Sequence, residues 1–180
     1  MTTKEQSAEF LRNQFKDIRN SNLLNIGVSI GLVSNNYFRW CFTIRGASDT
    51  PYQEGFFSGE ILFPENFPLE KPEVIFKTPI YHLNVKHTLP QYFGDEPLGH
   101  VSISSLNWWN PNTTVKQLVN NLFALFYLVN PEEGYGEDRV NLYRNDPESY
   151  RNKCRRFTRK YANFSSDGYS TVNGWDFSRI

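Results

Sequence analysis

Three observations, taken in chain order, predict an α+β domain. A helix-period stripe runs from Thr3 to Arg19. Three segments rich in β-branched and aromatic residues follow it, with a short fourth behind them. Helical periodicity then returns at Thr114 and holds through most of the remaining chain. Helix, consecutive strands, long loop, helices is the order of a meander sheet with helices gathered against it.

Each element has its own reason. In the first helix Phe10, Leu11, Phe15 and Ile18 recur three to four residues apart, and Ser21-Asn22 breaks the pattern. Asn25–Val33, Tyr37–Arg45 and Gly55–Phe63 read as strands, with Asn35-Asn36 as the first turn. Gly46–Tyr52 is a loop by composition. The segment Phe63–Pro72 holds three prolines, which forbid a central strand. Glu73–Lys77 is the short fourth strand. Residues 78–112 show no regular period; a stretch that long inside a small domain usually carries function, and it contains all three histidines, His82, His87 and His100. From Thr114, Val115, Leu118, Leu122, Leu125 and Val129 form one stripe, widened by Val119, Phe123 and Phe126, and Pro131 ends it. A short helix near Glu137–Arg144 follows, then one over Pro147–Ala162 with proline in its first turn. The reading is one domain over residues 1–163 and a Ser/Gly-rich tail over 164–180.

Composition excludes several classes. The chain has 180 residues with 19 basic and 19 acidic side chains, a formal net charge of zero. Neutralising a phosphate backbone needs an excess of Lys and Arg, so neither nucleic acid nor an anionic membrane is an expected partner. Aromatics make up 16% of the residues, ample for a core and too many for disorder. The longest apolar run, Leu122–Val129, falls far short of the ~20 residues that span a bilayer. Met1–Ser7 has no apolar stretch of the kind a secretory signal needs, and two cysteines, Cys41 and Cys154, are too few for a disulfide scaffold. The expectation is a soluble protein of the cytoplasm, the nucleus or both.

The central loop makes a resemblance specific. Tyr81-His-Leu-Asn-Val85 resembles the Tyr-His-Pro-Asn-Ile/Val signature of ubiquitin-conjugating enzymes. Gly46-Ala-Ser-Asp-Thr-Pro-Tyr52 resembles that family's Gly-Pro-x-Asp-Thr-Pro-Tyr, and Phe63-Pro-x-x-Phe-Pro-x-x-Lys-Pro72 its Phe-Pro-x-x-Tyr-Pro-x-x-Pro-Pro turn. Trp109-x-Pro111 with Thr114, Asn130-Pro-Glu-Glu133, and the helix ending Lys160-Tyr-Ala162 continue the agreement in order. The resemblance implies a four-stranded antiparallel meander sheet, an N-terminal helix, a central helix and two C-terminal helices.

It also implies roles. Asn84 would support its loop and stabilise the oxyanion formed when a lysine attacks the thioester, where a fixed donor is worth several kcal/mol. Glu133 would position the incoming lysine and help deprotonate it. Leu69, Pro111 and Asn112 would lie on the two loops that dock ubiquitin ligases and the activating enzyme, and His82 would be structural. The family's cysteine sits in Gly-x-Val/Ile-Cys-Leu/Ile-x-x-Leu; here that stretch reads Gly99-His-Val-Ser102-Ile-Ser-Ser-Leu106. A thiol with pKa ~8.5 is a few per cent thiolate and a strong nucleophile, whereas a serine hydroxyl needs an adjacent base. Leu83 replaces the signature proline, which would rigidify the backbone. The spacing from Asn84 to Ser102 is roughly ten residues longer than the resemblance implies, through Lys86–Leu98, and that from Ser102 to Trp109 about one shorter.

These departures predict a catalytically silent variant that engages ubiquitin or a ubiquitin-like modifier, an active conjugating enzyme or a ligase, as a cofactor or scaffold. The alternative is an active enzyme whose catalytic cysteine was changed to Ser102. Plainer readings stand beside these: Asn84 as a loop-holding asparagine, Glu133 as a solvated acid, and Leu69 and Pro111 as ordinary loop packing. His82, His87 and His100 with Asp95 and Glu96 fit no zinc spacing, so no metal and no cofactor is expected. A Ser102–His100 hydrolase would still need an orienting acid and an oxyanion hole.

Overall fold

The computed structural model describes residues 3–86 and 99–163. The expected residues 87–98, including His87, Asp95 and Glu96, and the tail beyond Asn163 lie outside the described residues.

Helix α1 spans Lys4–Arg19. Thr3 caps it: its hydroxyl accepts from the Gln6 N–H while the Gln6 side chain accepts from the Thr3 N–H, a reciprocal box that satisfies two otherwise orphaned donors. A 3-10 turn over Asn22–Ile26 takes up the residues expected to open the first strand. Gly27, at φ +82°, then redirects the chain, so β1 begins only at Val28 and runs to Val33. Strands β2 (Asn36–Arg45), β3 (Phe56–Leu62) and β4 (Glu73–Phe76) complete an antiparallel sheet in the order β1-β2-β3-β4. Register places Trp40 opposite Leu32 and Ile61, and Phe42 opposite Ile30 and Gly59. One face of the sheet is therefore continuous apolar surface, and the opposite face of β2 carries Arg39, Cys41 and Thr43.

After a four-residue turn of helix, α2 (Ser104–Asn107), the central helix α3 runs over Val115–Ala124. Thr114 and Gln117 form a second reciprocal cap at its start. Val115, Leu118, Val119 and Leu122 are buried in one core with Leu11, Ile18, Trp40, Phe42 and Phe57. Helices α4 (Glu137–Asn145) and α5 (Pro147–Tyr161) close the fold, Asp146 capping α5 by accepting from the Ser149 N–H.

The central helix is shorter than its apolar stripe. Leu125 and Phe126 keep their core positions, but hydrogen bonds tighten to Phe126 N–Phe123 O and Tyr127 N–Ala124 O. The Leu125 carbonyl, which a longer helix would offer to Val129, instead meets His82 Nε2 at 2.8 Å. Pro131 further requires extended backbone at Asn130, found at φ −106°, ψ 101°.

Candidate functional site

The segment Tyr81–Val85 is buried at every residue. Loops run on the surface because their backbone groups need partners, so burying one demands an internal replacement for water. His82 supplies part of it. Its Nδ1 accepts the Asn84 N–H at 2.9 Å, which leaves Nε2 to carry the proton and donate to the Leu125 carbonyl. Burial pulls the imidazole down to about 4 from its ordinary 6.5, with the nearby Arg139 charge adding to the effect. His82 is thus a neutral, fully bonded strut.

Arg139, projecting from α4, is almost fully buried and donates through one guanidinium nitrogen to the carbonyls of His82 (3.0 Å) and Val85 (3.1 Å). Its guanidinium also lies 5.7 Å from the centre of the Tyr81 ring. From α5, the Tyr150 hydroxyl accepts the Leu83 N–H at 3.0 Å. A proline at position 83 would have no hydrogen to give; leucine here ties the loop to α5 by a bond that the family's proline cannot make.

Asn84 is fully buried, and its amide grips one residue with both ends. Nδ2 donates to the Asn130 carbonyl at 2.8 Å, and Oδ1 accepts the Asn130 N–H at 3.0 Å. The amide thus fastens the loop to the chain leaving α3. Asn130 Oδ1 in turn accepts the Glu132 N–H, capping the 3-10 turn over Pro131–Glu133 that carries the acid.

Ser102 is half-buried and sits beside this clamp: its N–H donates to the Asn84 carbonyl at 2.8 Å, and Val85 and Val101 form an antiparallel bridge next to it. The Ser102 hydroxyl accepts from Asn107 Nδ2 at 3.0 Å. Glu133 is partly buried; Oε1 accepts from the Ser104 hydroxyl at 2.9 Å, while Oε2 is buried with no hydrogen-bond partner among the described residues. Asn84, Ile103, Ser104, Asn130 and Glu133 line a groove of about 260 Å³ that Leu125 and Leu128 complete on its apolar side. The structure therefore gathers Asn84, Ser102 and Glu133 into one locality.

Leu69, Pro111 and Asn112 form a second locality, all exposed. Trp109 joins their two loops: its indole N–H donates to the Pro68 carbonyl at 2.7 Å and its ring packs 5.7 Å from that of Phe67. Beside it Trp108 is 81% exposed, a large apolar side chain left in water that sequence patterning did not single out. Asn130, Asn107, Ser104 and Arg139 were also missed. Asn130 lies in a motif already noted, but nothing in the sequence shows that its backbone is what Asn84 holds.

The thiols are elsewhere. Cys41, on the sheet, and Cys154, on α5, are both buried and unpaired, and burial pushes each up to about 11. Among the described residues no cluster of three or more His, Cys, Asp or Glu side chains is placed to hold a metal, and no helix is long and apolar enough to cross a membrane.

Comparison with known proteins agrees with this geometry. The family model for ubiquitin-conjugating enzymes matches residues 10–158. An Arabidopsis thaliana protein named "Probable ubiquitin-conjugating enzyme E2 31" is 33% identical over 136 residues, covering 75% of this chain and 82% of that protein. Among solved structures, that of a protein assigned as a ubiquitin conjugating enzyme from Plasmodium yoelii superposes with a TM-score of 0.74 at 22% identity, covering 89% of this chain and 97% of that one. With the buried Tyr81–Val85 loop, the four-stranded meander and a match over most of its length, this chain belongs to the ubiquitin-conjugating enzyme family.

Proposed function

We propose that the protein acts in ubiquitin conjugation by binding, and does not itself carry the modifier as a thioester. The observation that carries this reading is the state of the thiols. The chain has two cysteines, and both are buried at about 11. At neutral pH roughly one such thiol in ten thousand is ionised. Cys154 is fully buried, and Cys41, on the sheet face away from the core, is 8% exposed.

Ser102 holds the position that the resemblance gives to the nucleophile. Its hydroxyl faces the neutral Asn107 amide, which cannot take a proton from it, and a serine without a base is a poor nucleophile. The Asn84 amide spends its oxygen and one of its two Nδ2 hydrogens on Asn130, which supports a loop-holding role. Glu133 keeps one buried oxygen without a hydrogen-bond partner among the described residues, which would suit the approach of an amine.

The exposed surfaces support binding better than the Ser102 locality supports bond-making. Leu69, Trp108, Pro111 and Asn112 present an exposed edge suited to a ligase or an active conjugating enzyme, and the groove at Asn84 and Glu133 suits the extended tail of ubiquitin or a related modifier. Such a role places the protein in the cytoplasm, the nucleus or both.

Charging with activating enzyme, ubiquitin and ATP tests the reading. The expected result is no adduct labile to reductant or to alkali. A thiol reagent should modify no cysteine in the native protein and two in urea. Ubiquitin or an active conjugating enzyme should be retained on the immobilised protein, and Leu69→Asp should weaken retention of the enzyme. A reductant-labile adduct on the unsubstituted chain overturns the proposal, whereas charging confined to Ser102→Cys leaves it standing.

A further inference from the structure

Charge on this chain balances in total but not in space. Against a net charge of zero, α5 alone places Arg151, Lys153, Arg155, Arg156, Arg159 and Lys160 beside a single acid, Glu148. Tyr150, Cys154 and Thr158 turn one stripe of the helix into the core, so all six cations are exposed on the remaining arc.

They are not equivalent. Glu148 pairs with Arg155 at 2.9 Å and with Arg151 at 3.5 Å, which neutralises part of the row. Lys153, Arg156, Arg159 and Lys160 have no carboxylate within 4.0 Å among the described residues. Spacings of three and four make them neighbours on one surface, and like charges so placed repel. The helix dipole accounts for Arg159 and Lys160, which lie in the last turn, but not for Lys153 and Arg156. Two of the cations are held in place by rings: Lys153 Nζ lies 5.9 Å from the centre of Tyr81, and Lys160 Nζ 5.0 Å from that of Tyr161.

We propose that this face of α5 docks an acidic segment of a partner protein. Charge complementarity gives the chemistry, and the extent of the patch gives the class of partner. Lys153 to Lys160 covers roughly 11 Å of helix, the reach of a few carboxylates. Asp146 and Glu148, both exposed, bound it at the start of α5, and Asp138 acts on the same Tyr81 ring that Lys153 caps. A polyphosphate running past the patch would meet these acids. A lipid surface is disfavoured because the apolar stripe of α5 is already buried in the domain and has nothing left to insert.

The test uses the full chain and a fluorescent Glu-Ser repeat peptide of about twelve residues, in about 50 mM salt where exposed charges are weakly screened. The peptide should bind, and Arg156→Glu/Lys160→Glu should weaken it by about tenfold or more, with Arg156→Gln/Lys160→Gln intermediate. Lys16→Glu/Lys116→Glu, which changes net charge equally on α1 and α3, should shift affinity by less than about twofold. Failure of the peptide to bind overturns the proposal, and so does equal weakening by the α1/α3 control. Tighter binding of a single-stranded DNA 20-mer, or of vesicles of phosphatidylserine and phosphatidylcholine, through the same residues would also overturn it.

Discussion

The two sides of the candidate site are held very differently. On one side, Tyr81–Val85 is buried throughout and tied down by His82 to Leu125, Asn84 to Asn130, Tyr150 to Leu83, and Arg139 to two carbonyls. On the other, Ser102 is half-exposed, with one backbone bond to Asn84 and one side-chain bond from Asn107. The frame is over-determined and the would-be reactive residue is lightly held. The frame carries nearly all of the tethering, which makes it the part that folding depends on. In this domain the signature loop is a packing device first, because it plugs the gap between the sheet, the end of α3 and helices α4 and α5.

Mutations on the two sides should differ accordingly. The largest effect is expected from Asn84→Ala, which leaves both the N–H and the carbonyl of Asn130 without their partners. It should cost about 2–4 kcal/mol in urea unfolding. A loss under about 1 kcal/mol would mean the clamp is dispensable and would erase the contrast.

Next comes pH. His82 sits at about 4 in the folded protein against an ordinary 6.5, so the unfolded chain binds a proton in that window and the native one does not. Its contribution is therefore complete above about pH 6.5 and is lost as the pH falls toward 4, amounting to about 2 kcal/mol between pH 7 and pH 5. The urea midpoint should drop over that interval, and His82→Gln, less stable overall, should show a flatter profile.

Smaller and more diagnostic is Leu83→Pro. Restoring the family's residue removes the N–H that Tyr150 accepts, and should cost about 1–2 kcal/mol despite proline's stiffening of the unfolded chain. In a Tyr150→Phe background, where that N–H is already orphaned, the same change should be neutral or stabilising. Equal costs in both backgrounds would show that shape, and not the hydrogen bond, decides the residue. Smallest of all, Ser102→Ala should stay within about 0.5 kcal/mol of the unsubstituted protein in thermal unfolding, because it gives up one bond at a half-exposed position.

Much of this was legible in advance, for local reasons. The three-to-four spacing in α1 and α3 reports burial directly, and β-branched and aromatic enrichment marks the strands, so the order of elements and the core-facing stripes of the helices follow from the chain. The resemblance carried Asn84, Ser102 and Glu133 to neighbouring positions. Less legible were the places where one element is cut short by another. The stripe to Val129 promised a longer helix, but His82 takes the Leu125 carbonyl and Pro131 holds Asn130 extended, so it ends early. The proline-to-leucine change read as a loosening, yet the folded chain turns it into a tie to α5.

The sequence by itself determined the family, the order of the elements and the core stripes of the helices, because periodicity and motif spacing are properties of neighbouring residues. Only the tertiary structure decided that both thiols are buried, that the Asn84 amide bridges both backbone groups of Asn130, and that the cations of α5 form one exposed face. Those facts depend on which distant groups meet across the fold, and a buried polar atom takes whichever partner the packing brings within reach.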